Sequence, residues 1–391
     1  MREGFMEFHL TESQRLLRKM VAEFADKELK PKAAETGERL AIPWDIVRRL
    51  AELGIMGLTV PEKYGGMGLG GVEAALVCEE IARVCPSTAM VLMAEVGICA
   101  QLISHYGTDT QRGKYLPGIA RGETLTGISI TEPEAGSATT RIQTNAARTQ
   151  DGYRLRGRKA MTSRAGECGL YVVFTRFNGV PGIDGIGAVI VEAGTPGLSF
   201  GKAEETLGFR GCPSREVIFD DCPLGEEHVL VGEGGFRKIM TAFNGQRCLN
   251  AAISVGIAQG AFDAAVEYAK VRSPYGHPIS DFQGIRWMIS DMAMQIDAAR
   301  LLTYRAAVNG AEGFPSRFES SVAKLFANEV ALRVTDWALQ IHGGWGYNKE
   351  FPVERFLRDA RGIVLGSGPP QLHRNMIADE VLKNRASWAG S

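Results

Sequence analysis

The spacing of apolar residues changes twice along this chain, and that change bounds what it can fold into. Over residues 10–120 apolar positions recur every three or four residues. "TESQRLLRKMVAEFADKEL" opens on Thr11, a residue type suited to a helix N-cap, and "GVEAALVCEEIARV" continues the same period. Between 125 and 235 the runs shorten. "YRLRGRKAM", "GLYVVFTRF", "IGAVIVEA" and "REVIFDDC" are separated by Gly, Pro and Asp, the spacing of strands joined by turns. From 236 onward Ala-rich stretches at 246–271, 280–309, 317–341 and 369–386 restore the helical period. Four long helices with short joints read as a bundle. The expected fold class is therefore α+β, mostly α: an N-terminal helical domain (1–124), a middle β domain (125–235) and a C-terminal four-helix bundle (236–391).

A chain of 391 residues is too long for one ordinary core, which agrees with several domains. The formal net charge is −1 and no basic block occurs, so nothing points to nucleic acid or an anionic membrane surface. The N-terminal stretch has no apolar signal region, and no run reaches the roughly 18 apolar residues of a membrane span. Seven scattered cysteines without a CxxC pair read as thiols of a reducing compartment, so a cytoplasmic location is expected. The six histidines have no partner at helical spacing, and no metal site is expected. "GGMGLGG" matches a dinucleotide fingerprint at Gly66, Gly68 and Gly71. The segment before it contains Pro61 and two charges where a buried strand would be needed, so it reads as a turn entering a helix.

Three segments carry chemistry. "ISITEPEAGSATT" sets Thr131 and Ser137 around a Pro–Gly turn, where hydroxyls and free N–H groups suit a flavin edge or a pyrophosphate, or simply a surface loop. "RSPYGHPISDFQG" puts Arg272 and Tyr275 before a helix bearing Gln283. "QIHGGWGYNKEFPVERFLRDA" places Gly343 and Gly344 at a helix end, where backbone can approach a ligand closely.

With "FHLTESQ" and "PEKYGGMGL", these segments make the whole chain resemble the acyl-CoA dehydrogenase family of flavoproteins. The resemblance implies a middle β-barrel, FAD bound between subunits of a homo-oligomer (a homotetramer), a coenzyme A thioester as substrate and an electron-transferring flavoprotein as partner. It implies that Thr131 meets the flavin ring and Ser137 the pyrophosphate. Arg272, Tyr275, Gln283, Gln340, Gly343 and Gly344 would reach the FAD of a neighbouring subunit, and Gln371 would face the cofactor. Met161 stands where the family carries a tryptophan over the flavin, and Ser163 keeps a hydrogen-bonding group there.

The same resemblance exposes a gap. Family enzymes take the thioester α-proton with a glutamate on the loop after "RDA", a position that falls on Ser367, or with one just before an arginine on the first bundle helix. Here Gln246 precedes Arg247. An amide cannot accept that proton, and a lone serine hydroxyl needs a partner base. Glu95 is the one acid of the apolar stretch "CPSTAMVLMAEVGICAQLI", expected as the pocket floor, so it is the alternative base. It could equally face solvent or line the pocket as a neutral acid. With no Arg or Lys between Val84 and Ala100, the acyl group is expected to be uncharged, and branched or cyclic beside "GSGPP". The expected function is FAD-dependent oxidation at the α,β or ring carbons of an acyl-CoA with a non-standard base. A lyase or desulfinase-type enzyme on the same scaffold is the alternative, and an acyl-CoA-binding protein without turnover is a third.

Overall fold

The computed structural model describes residues 9–308, 310–311 and 313–383. Residues 309 and 384–386, the ends of two helices expected from sequence, lie outside it, as does Phe8 of "FHLTESQ".

The N-terminal third is helical: α1 (Glu12–Phe24), α2 (Ala33–Glu38), α3 (Trp44–Glu52), α4 (Gly71–Val84), α5 (Pro86–Glu95), α6 (Ile98–Tyr106) and α7 (Asp109–Ala120). Thr11 does cap α1, its hydroxyl accepting from the Gln14 amide while Gln14 Oε1 accepts from the Thr11 amide. The glycine-rich loop at 65–70 leads directly into α4. The residues from Pro86 to Tyr106 are almost all buried, in two helices broken at Gly97. A side chain at Gly97 would overlap the Met93 carbonyl and crowd Leu249, so the close approach of α8 requires glycine there.

The middle region holds β1 (Thr126–Ser129), β2 (Asn145–Thr149), β3 (Gly152–Ser163), β4 (Leu170–Phe177), β5 (Ile186–Glu192), β6 (Leu198–Phe200), β7 (Ser214–Leu224) and β8 (Val229–Val231). Strand order is β6-β7-β3-β2-β4-β5-β8, with β1 parallel to β4. The sheet is mixed and open. This corrects the expected barrel: the end strands β6 and β8 span three residues each and do not pair with one another. β4 shows why its sequence is a continuous apolar run. Tyr171, Val173 and Phe177 join the inward residues of β3 and β7 in one core, and Leu170, Val172 and Phe174 pack with α6 and α7 in another.

The C-terminal part contains five helices rather than four: α8 (Phe236–Val271), α9 (Gln283–Val308), α10 (Arg317–His342), α11 (Val353–Leu365) and α12 (Pro370–Lys383). α8 is the central helix, packed against α10, α4 and α9. Two stretches, Pro86–Tyr106 and Phe236–Val271, are long and apolar enough to cross a membrane, which the sequence reading missed. They lie inside the fold, with 83% and 72% of their apolar windows buried. All seven cysteines are buried and unpaired.

Candidate active site

The pocket-floor helix α5 ends on Glu95, which is fully buried. Its Oε2 lies 2.6 Å from Arg164 Nη1, and its Oε1 accepts from the Thr126 amide at 2.6 Å. Arg164 is itself buried and also donates to the Val91 and Thr126 carbonyls. Burial pushes the Glu95 carboxyl up, opposed by the Arg164 charge and the Thr126 amide. This is the setting in which Glu95, the expected alternative base, is found. Both oxygens are engaged, Oε2 by Arg164 and Oε1 by Thr126, so proton transfer to Glu95 would have to compete with these bonds. The pair also supplies the cation near α5 that the local sequence lacks, from 69 residues away.

Gln246 sits on α8 with its Oε1 3.4 Å from the Ile98 amide, at the start of α6. It thus serves a free amide that Gly97, having no side chain, leaves uncapped. Ser367 lies on the tight loop between α11 and α12 with φ 57, and Gly368 follows at φ 95. His373 Nε2 is 3.2 Å from the Ser367 carbonyl, so this imidazole meets the backbone and not the hydroxyl. Lys324 on α10 reaches the Gly368 carbonyl (2.7 Å), the Asn328 side chain (2.7 Å) and the Val364 carbonyl (3.4 Å). When protonated, Lys324 gives each of its three ammonium protons an acceptor and so ties down the loop. Burial and the Arg247 charge pull its pKa down to about 7.

Arg247 is almost fully buried beside this loop region. Nη1 donates to Asn244 Oδ1 at 2.6 Å, the guanidinium lies over the Phe243 ring, and Nε has no partner. No ion pair reaches it among the described residues, and burial with the nearby Arg317 charge lowers it to about 10. Sequence reasoning named Arg247 but missed Arg164, Lys324 and His373, whose buried partners lie far off in the chain.

The residues expected at the cofactor form two sets, the first partly and the second fully exposed. On the middle domain, the Thr131 carbonyl accepts from the Ala160 amide, joining the "TEPEAGS" loop to the end of β3. There Met161 is 56% exposed at φ 54, a strained conformation for a side chain of its size, and Ser163 approaches Ser214 at 3.4 Å. Buried Glu132 anchors that loop, pairing with Lys159 at 2.8 Å and accepting from the Gln143 and Thr144 amides, which leaves Ser137 exposed. Lys159 is lowered to about 8 by its burial. The second set lies at one end of the bundle: Arg272, Tyr275, Gln283, Gln340, Gly343 and Gly344, all exposed. Gln371 is likewise exposed, at the start of α12. No hydrogen bond among the described residues links the first set with the second.

The two sets fit a flavin dinucleotide. A Cβ at Gly343 or Gly344 would meet nothing within 4 Å, so the backbone there is open to a ligand. Arg272 lines a cleft of about 340 Å³ with Tyr268, Val271 and Trp345. A fixed cation beside an open backbone and aromatic faces suits a pyrophosphate and fused rings.

Comparison with known proteins identifies the family. The N-terminal, middle and C-terminal domain models of acyl-CoA dehydrogenase match residues 11–123, 127–222 and 233–382. The chain belongs to the acyl-CoA dehydrogenase family. It is 38% identical over 97% of its length to a short-chain-specific acyl-CoA dehydrogenase of Clostridium acetobutylicum, all of which is covered. It is also 37% identical over 97% of its length to a 3-sulfinopropanoyl-CoA desulfinase of Paraburkholderia xenovorans, covering 98% of that protein. Butyryl-CoA dehydrogenase from Megasphaera elsdenii superposes with a TM-score of 0.93 at 36% identity, over 96% of this chain and 100% of that one. As an acyl-CoA dehydrogenase-type flavoenzyme, the protein uses FAD.

Proposed function

We propose that this acyl-CoA dehydrogenase family member acts on the α,β or ring carbons of an acyl-CoA thioester without a carboxylate base at position 367, 246 or 95. FAD, when bound, supplies the acceptor for a hydride. Thr131 and Ser163 would hold the ring edge, Ser137 the pyrophosphate, and Arg272, Gln283, Gln340, Gly343 and Gly344 the dinucleotide of a neighbouring subunit, with Gln371 facing the cofactor. Met161 would lie over the ring in place of an indole. Within the chain, α5 excludes water from the acyl group, Gln246 steadies the start of α6, and Lys324 fixes the loop bearing Ser367. An electron-transferring flavoprotein as electron acceptor and a cytoplasmic location belong to the same proposal.

What supports the reading is membership of the flavoenzyme family together with Ser367 and Gln246, neither of which can accept a proton unaided, at the expected base positions. A positioned general base contributes about 10²–10⁴ in rate, so the absence leaves two outcomes. Either a group of the substrate itself takes the α-proton, or the net reaction is a lyase-type cleavage of a carbon–heteroatom bond of the acyl group that does not begin with loss of the α-proton. The engagement of Glu95 with Arg164 favours taking that lyase reading seriously. The test is anaerobic mixing of the purified protein with a panel of thioesters. The protein is expected to be yellow, to carry about one FAD per subunit and to be oligomeric. A colourless protein that takes up no FAD on refolding would overturn the proposal. Flavin bleaching by a thioester identifies a dehydrogenase, and release of a fragment without bleaching identifies a lyase.

A further inference from the structure

Two basic side chains, Lys324 and His373, bond to the Ser367–Gly368 loop, Arg247 lies on the adjoining helix α8, and no carboxylate pairs with any of them among the described residues. Lys324 and His373 are fully buried and bond to loop carbonyls, while Arg247, 3% exposed, lies on α8, the helix whose Asn250 bonds to the Ile363 carbonyl. A network ties them together. Asn328 holds the Lys324 amine and donates to Asn250 at 3.0 Å, while Asn250 donates to the Ile363 carbonyl at 3.2 Å. Asn250 lies three residues, about one turn, beyond Arg247 on α8. Arg247 Nε and His373 Nδ1 are buried with no hydrogen-bond partner at all. The charges of Arg247 and Lys324 both act on His373, and that of Arg247 on Lys324.

His373, lowered to about 3, stays neutral here, so the imbalance lies with Arg247, a buried guanidinium with no ion pair among the described residues. A buried cation without a counter-charge is costly, and natural structures pair such groups. Three other buried or partly buried cations of this chain are paired: Arg164 with Glu95, Lys159 with Glu132, and Arg300 with Glu79. The backbone beside the cluster is not crowded at Gly366. A Cβ at Gly366 would come no closer than 3.8 Å to the Ile363 carbonyl and 3.9 Å to the Asn250 amide.

We infer that the space beside Gly366 and Ser367 is an oxyanion site, in which Arg247 with Lys324 behind it binds a carboxylate or sulfinate that the chain does not supply. The inference rests on the proposed function, because it places the anion where the thioester acyl group reacts. It replaces the expectation of an uncharged acyl group, which considered only cations in the α5 sequence. The oxyanion belongs to the acyl group itself or to a free small carboxylate held beside it.

The experiment uses the FAD-loaded protein and follows the flavin spectrum on titration with butyryl-CoA, glutaryl-CoA and methylmalonyl-CoA, each with and without acetate or formate. If the acyl group brings the anion, a carboxylated thioester binds at least tenfold more tightly than butyryl-CoA. If a free carboxylate fills the site, acetate or formate tightens butyryl-CoA binding by a similar factor instead. Arg247→Gln should abolish either effect. Because that variant could fail to fold, Ser367→Glu is the second probe. It places a carboxylate from the chain itself at a residue already held at positive φ, and it should remove the anion effect while leaving FAD bound. No anion effect in the wild type, or one unchanged in Ser367→Glu, overturns the inference. FAD and thioester binding without anion preference defeats this inference alone, whereas loss of both defeats the proposed function.

Discussion

At the scale of single residues, the Glu95–Arg164 pair shows what a local reading misses. The sequence made Glu95 conspicuous as the one acid in an apolar helix, but nothing adjacent in the chain announced Arg164. With both partners buried, breaking the pair strands a charge, at a cost of about 3–5 kcal/mol. Glu95→Gln is therefore expected to lower stability by that amount in urea unfolding, and Glu95→Leu combined with Arg164→Met to recover most of it. If Glu95→Gln instead kept full stability and slowed flavin bleaching by about 10²-fold, Glu95 would be the base after all. His373 offers a pH test. Burial, with Lys324 and Arg247 nearby, lowers it to about 3 from an ordinary 6.5, so the folded state holds the proton less tightly than the unfolded state. Its contribution to stability is full above pH 6.5 and lost as pH falls toward 3. Asp359, raised to about 6 by burial, acts with the opposite sign, its contribution fading as pH rises from 3.8 to 6. His373→Gln should flatten the acid side of the stability profile relative to wild type. An unchanged profile would mean that this imidazole is not the source.

At the scale of elements, what was legible follows the strength of the period. β3, β4, β5 and β7 and the four longest bundle helices all stood out, because each repeats its pattern over many residues. The short strands β1, β2, β6 and β8 did not, and sheet closure depended on two of them. α11 was unread for a specific reason: Gly362 interrupts its interior, a breaker by local rules. The glycine stays because the Phe209 ring occupies the space a side chain would need. Gly97 acts in the same way between α5 and α6, where Met93, Leu249 and Gln246 crowd the position. Gly97→Ala is expected to destabilise by roughly 1–3 kcal/mol, the scale of overpacking, and to disturb the contact between Gln246 and Ile98. Thermal unfolding checks the first, and amide exchange at Ile98 the second. Stability equal to wild type would show that α8 can retreat from α5 at little cost.

At the scale of the whole molecule, the decisive feature is a face left bare. Trp287, Met294, Leu301 and Val308 recur every seven residues along α9, with exposures of 62%, 64%, 43% and 67%. A seven-residue repeat keeps side chains on one helix face. Single exposed apolar residues are ordinary, but four in a row on one face mark a protein–protein contact. The bundle-end cofactor set, which includes Arg272, Gln283 and Gly343, is exposed too, and Gln283 opens the same helix. Sequence reading could name these residues but could not show that they share one surface, which is a property of the folded bundle. If subunits meet along α9 and complete each other's FAD sites, assembly and cofactor retention must fail together. Trp287→Lys with Met294→Lys should place two charges in the apolar row, shift the protein to a smaller species in light scattering, and release FAD in step. The far-ultraviolet circular dichroism of the subunit should be retained, because neither side chain lies in its core. A variant that dissociates fully yet keeps one FAD per chain would show that each chain holds its cofactor alone.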